Sequence, residues 1–478
     1  MNNLSPLQKK RLAYQPVIPD LLRDLKSVCF KTVKSSRHPP ENLRKLFPKT
    51  FDSPSYSLTV GEGKRGSVKV GVVFSGGLAA GGHNVIAGIC DAGAHVIGFL
   101  GGPSGIVDNK WKEIKEIGPY RNQGGFDLLG SGRTKIETAE QLAASMKTML
   151  EHQLDGLVVI GGDDSNTNAA VLAEYFLAHG CQTRVVGVPK TIDGDLRSAD
   201  IEISFGFDSA CKTYAELIGN IARDGLSARK YYHFIKLMGR SASHIALECA
   251  MATHPNMTLI GEERKGLEQM VGEIADLVCR RSEAGKGYGV ILIPEGLIEF
   301  VPELTKNLNL EKDPHGNVEL SKIETEKFLI DLVLQELKKR QFKGKFNALG
   351  HSFGYEGRAC LPSNFDANYC TALGLLAVVC VREGLTGVIC AVQNLKKHPN
   401  EWQLKAVPIV QLMRMETRLG KEKPVIEKAL VDMKGKSFVY FSQFRKSWEI
   451  EDQYRYPGPI QFFGDAELTD GAPLSLMD

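Results

Sequence analysis

The residue order predicts an α/β protein: parallel sheets flanked by helices, in two core domains that follow an N-terminal extension. Three observations lead there. Short apolar β-forming runs, such as Leu157-Val158-Val159-Ile160 and Val185-Val186-Gly187-Val188, alternate with helical patterns between residues 68 and 190. Each run breaks into a polar, glycine-bearing turn, which is where ligands gather in an open parallel sheet. And 478 residues exceed what one hydrophobic core usually serves. The expected division is 1–67 as extension, 68–225 as one domain and 226–478 as the other with a polar tail.

Bulk properties narrow the class. A hydrophobic content of 43% excludes a disordered chain, and a net charge of +3 implies no general polyanion partner such as nucleic acid. Ten cysteines show no CxxC and no Cys/His ligand spacing; Cys360, Cys370, Cys380 and Cys390 recur every ten residues and read as buried thiols of a reduced, cytoplasmic protein. Met1 to Leu12 lacks the apolar stretch of a signal peptide, and the longest apolar run, Leu373 to Val381, is too short to span a bilayer.

Along the extension, Lys9-Lys10-Arg11 and Arg44-Lys45 are mixed with prolines and apolar residues, which suits an arm packed on the body or on a neighbouring subunit. A weak helical signal covers Leu21 to Val33. Val68 to Phe74 predicts a strand, followed by the glycine turn Ser75 to Asn84 and a helix. Strand, glycine turn and helix let backbone N–H groups approach a phosphate, although tight βα turns also use glycine for geometry alone. His95 to Leu100 predicts a second strand. Arg133 stands in a Gly/Ser turn ahead of a four-turn helix. Asn166 to His179 predicts a helix capped by Ser165. Further helices are expected at 208–221, 245–252, 268–281, 323–340 and 366–381, and strands at 231–237, 288–293 and 387–392. The charged stretch Thr305 to Val318 reads as a surface loop, and Leu349 to Arg358 as a Gly/aromatic/Arg turn.

The chemistry concentrates at strand exits. Gly161-Gly162-Asp163-Asp164-Ser165 offers glycines for close backbone approach and Asp163 for Mg²⁺, which prefers one or two carboxylates plus water and phosphate oxygens; an acid pair favoured by the helix macrodipole explains the same residues without a ligand. Pro189-Lys190-Thr191-Ile192-Asp193-Gly194-Asp195 is harder to read as an ordinary turn. Asp193 can take a proton from an attacking hydroxyl while Lys190, three residues earlier, balances charge on a transferring phosphoryl group. Met238-Gly239-Arg240 and Tyr355-Glu356-Gly357-Arg358 each set an arginine beside a glycine at a strand end, and arginine's planar fork suits a sugar phosphate. Singly, each is an ordinary surface residue; their common position carries the weight.

Taken together, GGDDS, PKTIDGDL, KLMGRSASH, PEG and FGYEGR, in this order between about Val68 and Phe463, resemble the 6-phosphofructokinases of the pyrophosphate-dependent kind, in their long catalytic form. The resemblance implies two Rossmann-like domains and a transfer from pyrophosphate to the 1-hydroxyl of fructose 6-phosphate. It implies Asp193 as general base, Thr191 and Ile192 lining the same site, and Asp163 holding Mg²⁺. Gly76 and Gly77, with Arg133, would contact the donor. Met238, Gly239, Arg240 and Glu295 would hold the sugar, and Tyr355, Glu356, Gly357 and Arg358 its phosphate. Lys230 and Tyr231 would reach it from a neighbouring subunit, in a homo-oligomer, with a dimer favoured. No nucleic-acid or membrane partner is implied.

Asp164 and Lys190 decide the donor, because ATP users of this family carry glycine at both positions. Asp164 adds bulk and negative charge where an ATP α-phosphate would lie. Lys190 adds a cation beside the transferring group. The competing readings are an ATP-dependent phosphofructokinase that tolerates Asp164, another kinase with a GGD turn, and a non-catalytic regulatory subunit. Arg240 and Arg358 argue against the second, and retention of Asp193 and Lys190 against the third.

Overall fold

The computed structural model describes residues 3–64, 66–304, 323–418 and 420–477; the loop expected at Thr305 to Val318 lies outside them. Fifteen strands occur among the described residues: β1 Val28–Val33, β2 Ser55–Val60, β3 Lys69–Ser75, β4 His95–Phe99, β5 Trp111–Glu113, β6 Gly156–Gly161, β7 Arg184–Pro189, β8 Tyr231–Leu237, β9 Met257–Thr258, β10 Tyr288–Pro294, β11 Ala348–Phe353, β12 Val388–Gln393, β13 Gln403–Pro408, β14 Met413–Arg418 and β15 Lys421–Ile426.

The central strands are apolar throughout because both of their faces are covered. β6 and β10 are buried at every residue, as parallel strands between helical layers must be. A nine-stranded sheet runs β1-β2-β13-β12-β7-β6-β3-β4-β5, and a four-stranded one runs β11-β8-β10-β9. The first is parallel from β12 to β4, with antiparallel strands at both margins. The second is parallel throughout. β14 and β15 form a separate hairpin.

Register aligns the strand exits. Ser75, Gly161 and Pro189 are partners across β3, β6 and β7, so Gly76, Gly162 and Lys190 leave the first sheet at one level. Leu237 is matched by Pro294 and by Phe353, so Met238, Glu295 and Gly354 leave the second sheet together.

The helix Asn364–Glu383 runs through the core. It is capped by Ser363 Oγ, which accepts from Asp366 N, and is closed by Gly384 in the left-handed conformation. It is long and apolar enough to cross a membrane, yet its apolar window is wholly buried inside the protein. It crosses the helix Gly82–Asp91 backbone to backbone: a Cβ at Gly374 would lie 2.1 Å from Val85 O, and one at Gly88 would lie 2.4 Å from Thr371 O. The cysteines are all unpaired, six buried and four half-buried, and three of the four at the ten-residue interval are among the buried ones.

Several expectations need correction. Leu21 to Val33 is not helical: β1 occupies its second half, and β-branched Val28, Thr32 and Val33 favour that. The acidic turn does not precede its helix. The helix spans Asp163–Ala178, with extended Gly162 as the cap, so Asp163 and Asp164 form its first turn and Ser165 lies inside. Leu349 to Arg358 is a strand, β11, followed by one helical turn, Tyr355–Arg358. The tail is not merely polar: it supplies β13, the hairpin and the helix Lys436–Ile450, which buries Phe438, Phe441 and Trp448.

The division at 225 falls between the two sheets, but that at 67 does not, and residues 226–478 serve both. β1 and β2 from the extension, and β12 and β13 from the last segment, all join the nine-stranded sheet. The arm packs on the body. Arg11 is fully buried, donates to Asn364 Oδ1 at 2.8 Å and to Pro362 O at 2.9 Å, and lies over the rings of Tyr14 and Phe462. That arginine is thereby spent on the fold.

Candidate active site

The two aligned sets of exits face each other across one cleft. On the first side, Gly76 has φ +88°, a conformation that favours glycine. Its N–H donates to Gly132 O, and its carbonyl accepts from Ser131 Oγ at 2.7 Å, so the Arg133 turn is tied to it. A methyl group at Gly76 would sit 3.4 Å from Lys190 Nζ and 3.7 Å from Ser165 Oγ. One at Gly77 would sit 3.7 Å from Arg358 Nη2 and 3.9 Å from Arg133 Nη2. Bare backbone is therefore ringed by a lysine, a serine and two arginines, a cradle shaped for phosphate oxygens. Arg358 reaches this cradle from the opposite sheet.

Lys190 is 4% exposed, anchored by its N–H on Gly161 O at 3.0 Å. Burial lowers its ammonium to about 7; Asp193 and Asp163 act to raise it, and Arg358 and Arg133 to lower it. The turn continues through Asp193, whose N–H donates to Thr191 Oγ1, and Gly194 at φ +75°, while Ile192 is buried beneath. Asp193 Oδ2 accepts the Arg240 N–H at 3.3 Å, a direct link to the second side.

There Gly239 has φ +138°, and its N–H donates to Glu295 Oε2 at 3.2 Å. Burial pushes the Glu295 carboxyl up to about 7, with Asp193 adding to the effect. Burial works against the charge on Arg240, but Asp193, Asp163, Asp195 and Asp164 outweigh it, so the guanidinium stays firmly ionised. Gly354 leaves no room for a Cβ against the Met238 side chain, and its carbonyl accepts from Tyr214 Oη at 2.6 Å. Glu356 accepts the Gly354 N–H at 2.8 Å, Gly357 packs on the Tyr214 ring, and the exposed Tyr355 ring carries the Arg358 guanidinium 5.0 Å from its centre.

Among the described residues, no three His, Cys, Asp or Glu side chains gather as a metal cage. The donor set is instead carboxylates at the mouth of a phosphate cradle, chiefly Asp163 in the first helical turn. Mg²⁺ fits such a set, because it keeps water and phosphate oxygens in its shell.

Lys230 and Tyr231 are not folded into this cleft. Lys230 precedes β8 and Tyr231 begins it, whereas Met238 follows its end, so the length of the strand, about 20 Å, separates them. Tyr231 is exposed, with φ +69°. Three residues beside the site, Ser75, Ser165 and Lys428, were given no part in it by the sequence, and Asp195 was grouped with the acidic turns without a role. Ser75 and Ser165 share a hydrogen bond beneath the glycine turn, and Asp195 is buried with its carboxyl raised by burial and by Asp193. Lys428, from the tail, donates to Ser241 Oγ at 2.5 Å. The DGD spacing pointed to Asp195; nothing in the sequence pointed to Lys428.

Comparison with known proteins agrees. Residues 69–381 match the family model described as Phosphofructokinase. The chain is 44% identical to the pyrophosphate--fructose 6-phosphate 1-phosphotransferase of Treponema pallidum (strain Nichols), over 98% of this chain and 96% of that one. It is 46% identical to the beta subunit of the enzyme of that name from Solanum tuberosum, over 96% and 92%. In fold it is similar to the pyrophosphate-dependent phosphofructokinase of Nitrosospira multiformis, with a TM-score of 0.60 over 85% of this chain and 95% of that one, at 17% identity.

Proposed function

The chain belongs to the phosphofructokinase family, and from that premise we propose that it transfers a phosphoryl group reversibly between pyrophosphate and the 1-hydroxyl of fructose 6-phosphate, yielding fructose 1,6-bisphosphate and phosphate. The observation that carries the choice of donor is the pair Lys190 and Asp164. The ammonium stands over the bare Gly76 backbone, and the carboxylate stands in the first helical turn beside the cradle.

Pyrophosphate would lie on Gly76 and Gly77, between Arg133, Arg358 and Lys190. Its negative charge would draw Lys190 into the ammonium form, which then faces the charge that develops during transfer. Arg240, Glu295 and Met238 would hold the sugar, and the Tyr355 side of the opposite turn would face its phosphate. Asp193 would accept the proton of the 1-hydroxyl as that oxygen attacks; its link to the Arg240 N–H fixes the carboxylate relative to the sugar. Asp163 would hold Mg²⁺, which when bound would supply positive charge to offset that of the phosphates. A second copy of the chain would supply Lys230 and Tyr231.

Purified protein assayed with fructose 6-phosphate and Mg²⁺ should turn over with pyrophosphate and barely with ATP. Robust ATP activity without pyrophosphate activity would replace this reading by the ATP-dependent one.

A further inference from the structure

Resting on that reading of the site, we infer that Lys428 is a positioning residue for the phosphoryl transfer: its ammonium keeps the sugar-side turn Met238–Ser241 in register with the Asp193–Asp195 turn across the cleft.

From the last residue of β15 onward the chain runs over the seam between the two sides. Ile426 N–H donates to Thr167 Oγ1 at 3.2 Å, on the donor-side helix. Ala429 N–H donates to Asp195 O at 2.8 Å, in the catalytic turn. From the same residue, Ala429 O lies 2.9 Å from His244 Nε2, at the start of the helix that follows the sugar-side turn. Val431 N–H shares Glu262 Oε1 with Ser243 N–H, each at 3.0 Å. Between these anchors Lys428 Nζ binds Ser241 Oγ. Ser241 follows Arg240, and the Arg240 N–H donates to Asp193 Oδ2. The path from the tail ammonium to the catalytic carboxylate is thus one side-chain bond, one residue of backbone and one further hydrogen bond.

Charge supports the same assignment. Asp195 is buried beside Asp193 and Asp163, and Lys428 and Arg240 are the cations that act on it in the opposite sense. Lys428 also offsets Glu299, which is raised first by burial. Behind the segment lies a cavity of about 490 Å³, lined by Arg37, Arg197, Gln411 and Glu427 among others. Ile426 and Val431 at the segment's two ends are buried in the apolar core, and the polar anchors fix the stretch between them.

The test compares wild type, Lys428→Met, Lys428→Arg, Ser241→Ala and the Ser241→Ala/Lys428→Met double variant, with kinetics in both substrates and calorimetric binding of fructose 6-phosphate. Lys428→Met should lower kcat/KM for fructose 6-phosphate by about 10–100-fold, the scale of a misplaced reacting group. KM for pyrophosphate should stay within about twofold, since the donor cradle is untouched. Lys428→Arg should recover most of the loss, and the double variant should be no worse than Lys428→Met alone. Wild-type kinetics in Lys428→Met would overturn the assignment. So would a loss shared equally by both substrates and not recovered by arginine, or fully additive losses in the double variant. A wild-type chain silent with pyrophosphate would sink the functional reading instead; sugar binding, weakened in Lys428→Met and retained in Lys428→Arg, would still decide for Lys428, and unchanged binding against it.

Discussion

Lys190→Met should leave a more stable protein that no longer works. Burial is the largest cause carrying the ammonium from its ordinary 10.5 to about 7, with Asp193 and Asp163 acting against it and Arg358 and Arg133 with it. At about 1.4 kcal/mol per tenfold change, that fall is about 5 kcal/mol of strain on the charged form. The sign follows from proton counting. Between about 7 and 10.5 the unfolded chain keeps a proton on this lysine that the folded chain sheds. Its effect on stability therefore improves as pH rises through that window, and the cost is complete below it. Methionine has nearly the same shape and no charge to desolvate. At pH 7 the ligand-free variant should gain a few kcal/mol, read as a thermal midpoint higher by several degrees. The gain should shrink steadily towards pH 9.5. Pyrophosphate turnover should fall by about 10³-fold with the loss of a preorganised cation. Thermal shift across that pH range, beside a coupled assay of bisphosphate formation, measures both. A variant that melts lower than wild type at pH 7 and keeps its turnover would refute both the burial cost and the catalytic role.

Asp193→Ala should cut turnover by roughly 10²–10⁴-fold with fructose 6-phosphate binding little changed, since a positioned base is lost and the sugar contacts remain; isothermal titration beside steady-state kinetics checks this. Asp164→Gly should raise turnover with ATP at least about tenfold over wild type by removing a charge and its bulk from the nucleotide's path; a donor comparison reads it directly. Gly374→Ala should destabilise by about 1–3 kcal/mol, because its Cβ would meet the Val85 carbonyl at 2.1 Å, backbone that cannot yield as a side chain could; denaturant melting measures the loss.

What the residue order made legible was the chemistry at the strand exits. Runs buried on both faces, such as β6 and β7, are unbroken apolar stretches, and the polar turns ending them stand out against that background. The register then does what the sequence could only suggest, bringing Gly76, Gly162 and Lys190 to one level. The margins were harder. β11 is half exposed and carries glycine and histidine, so its pattern resembles a turn. β1 and β2 lie at the antiparallel edge, and only their sheet partners reveal them as part of the body. The helix beginning at Asp163 was misread because serine is the commoner cap, whereas extended Gly162 does that work here. Lys428 was invisible because its meaning lies wholly in a contact with a residue 187 positions away.

The placement of β13 between β2 and β12 bears on synthesis. A ribosome that has released the first 380 residues has made every segment of the donor cradle, yet the β1–β2 ribbon still lacks the strand that joins it to the rest. Pairing between residues near 57 and 405 closes that gap only when translation is nearly over. Such distant pairing slows folding and leaves strand edges open in the meantime. The half of the molecule that is read first is thus the half that is finished last, and C-terminal truncations past residue 400 should yield aggregates rather than a smaller enzyme.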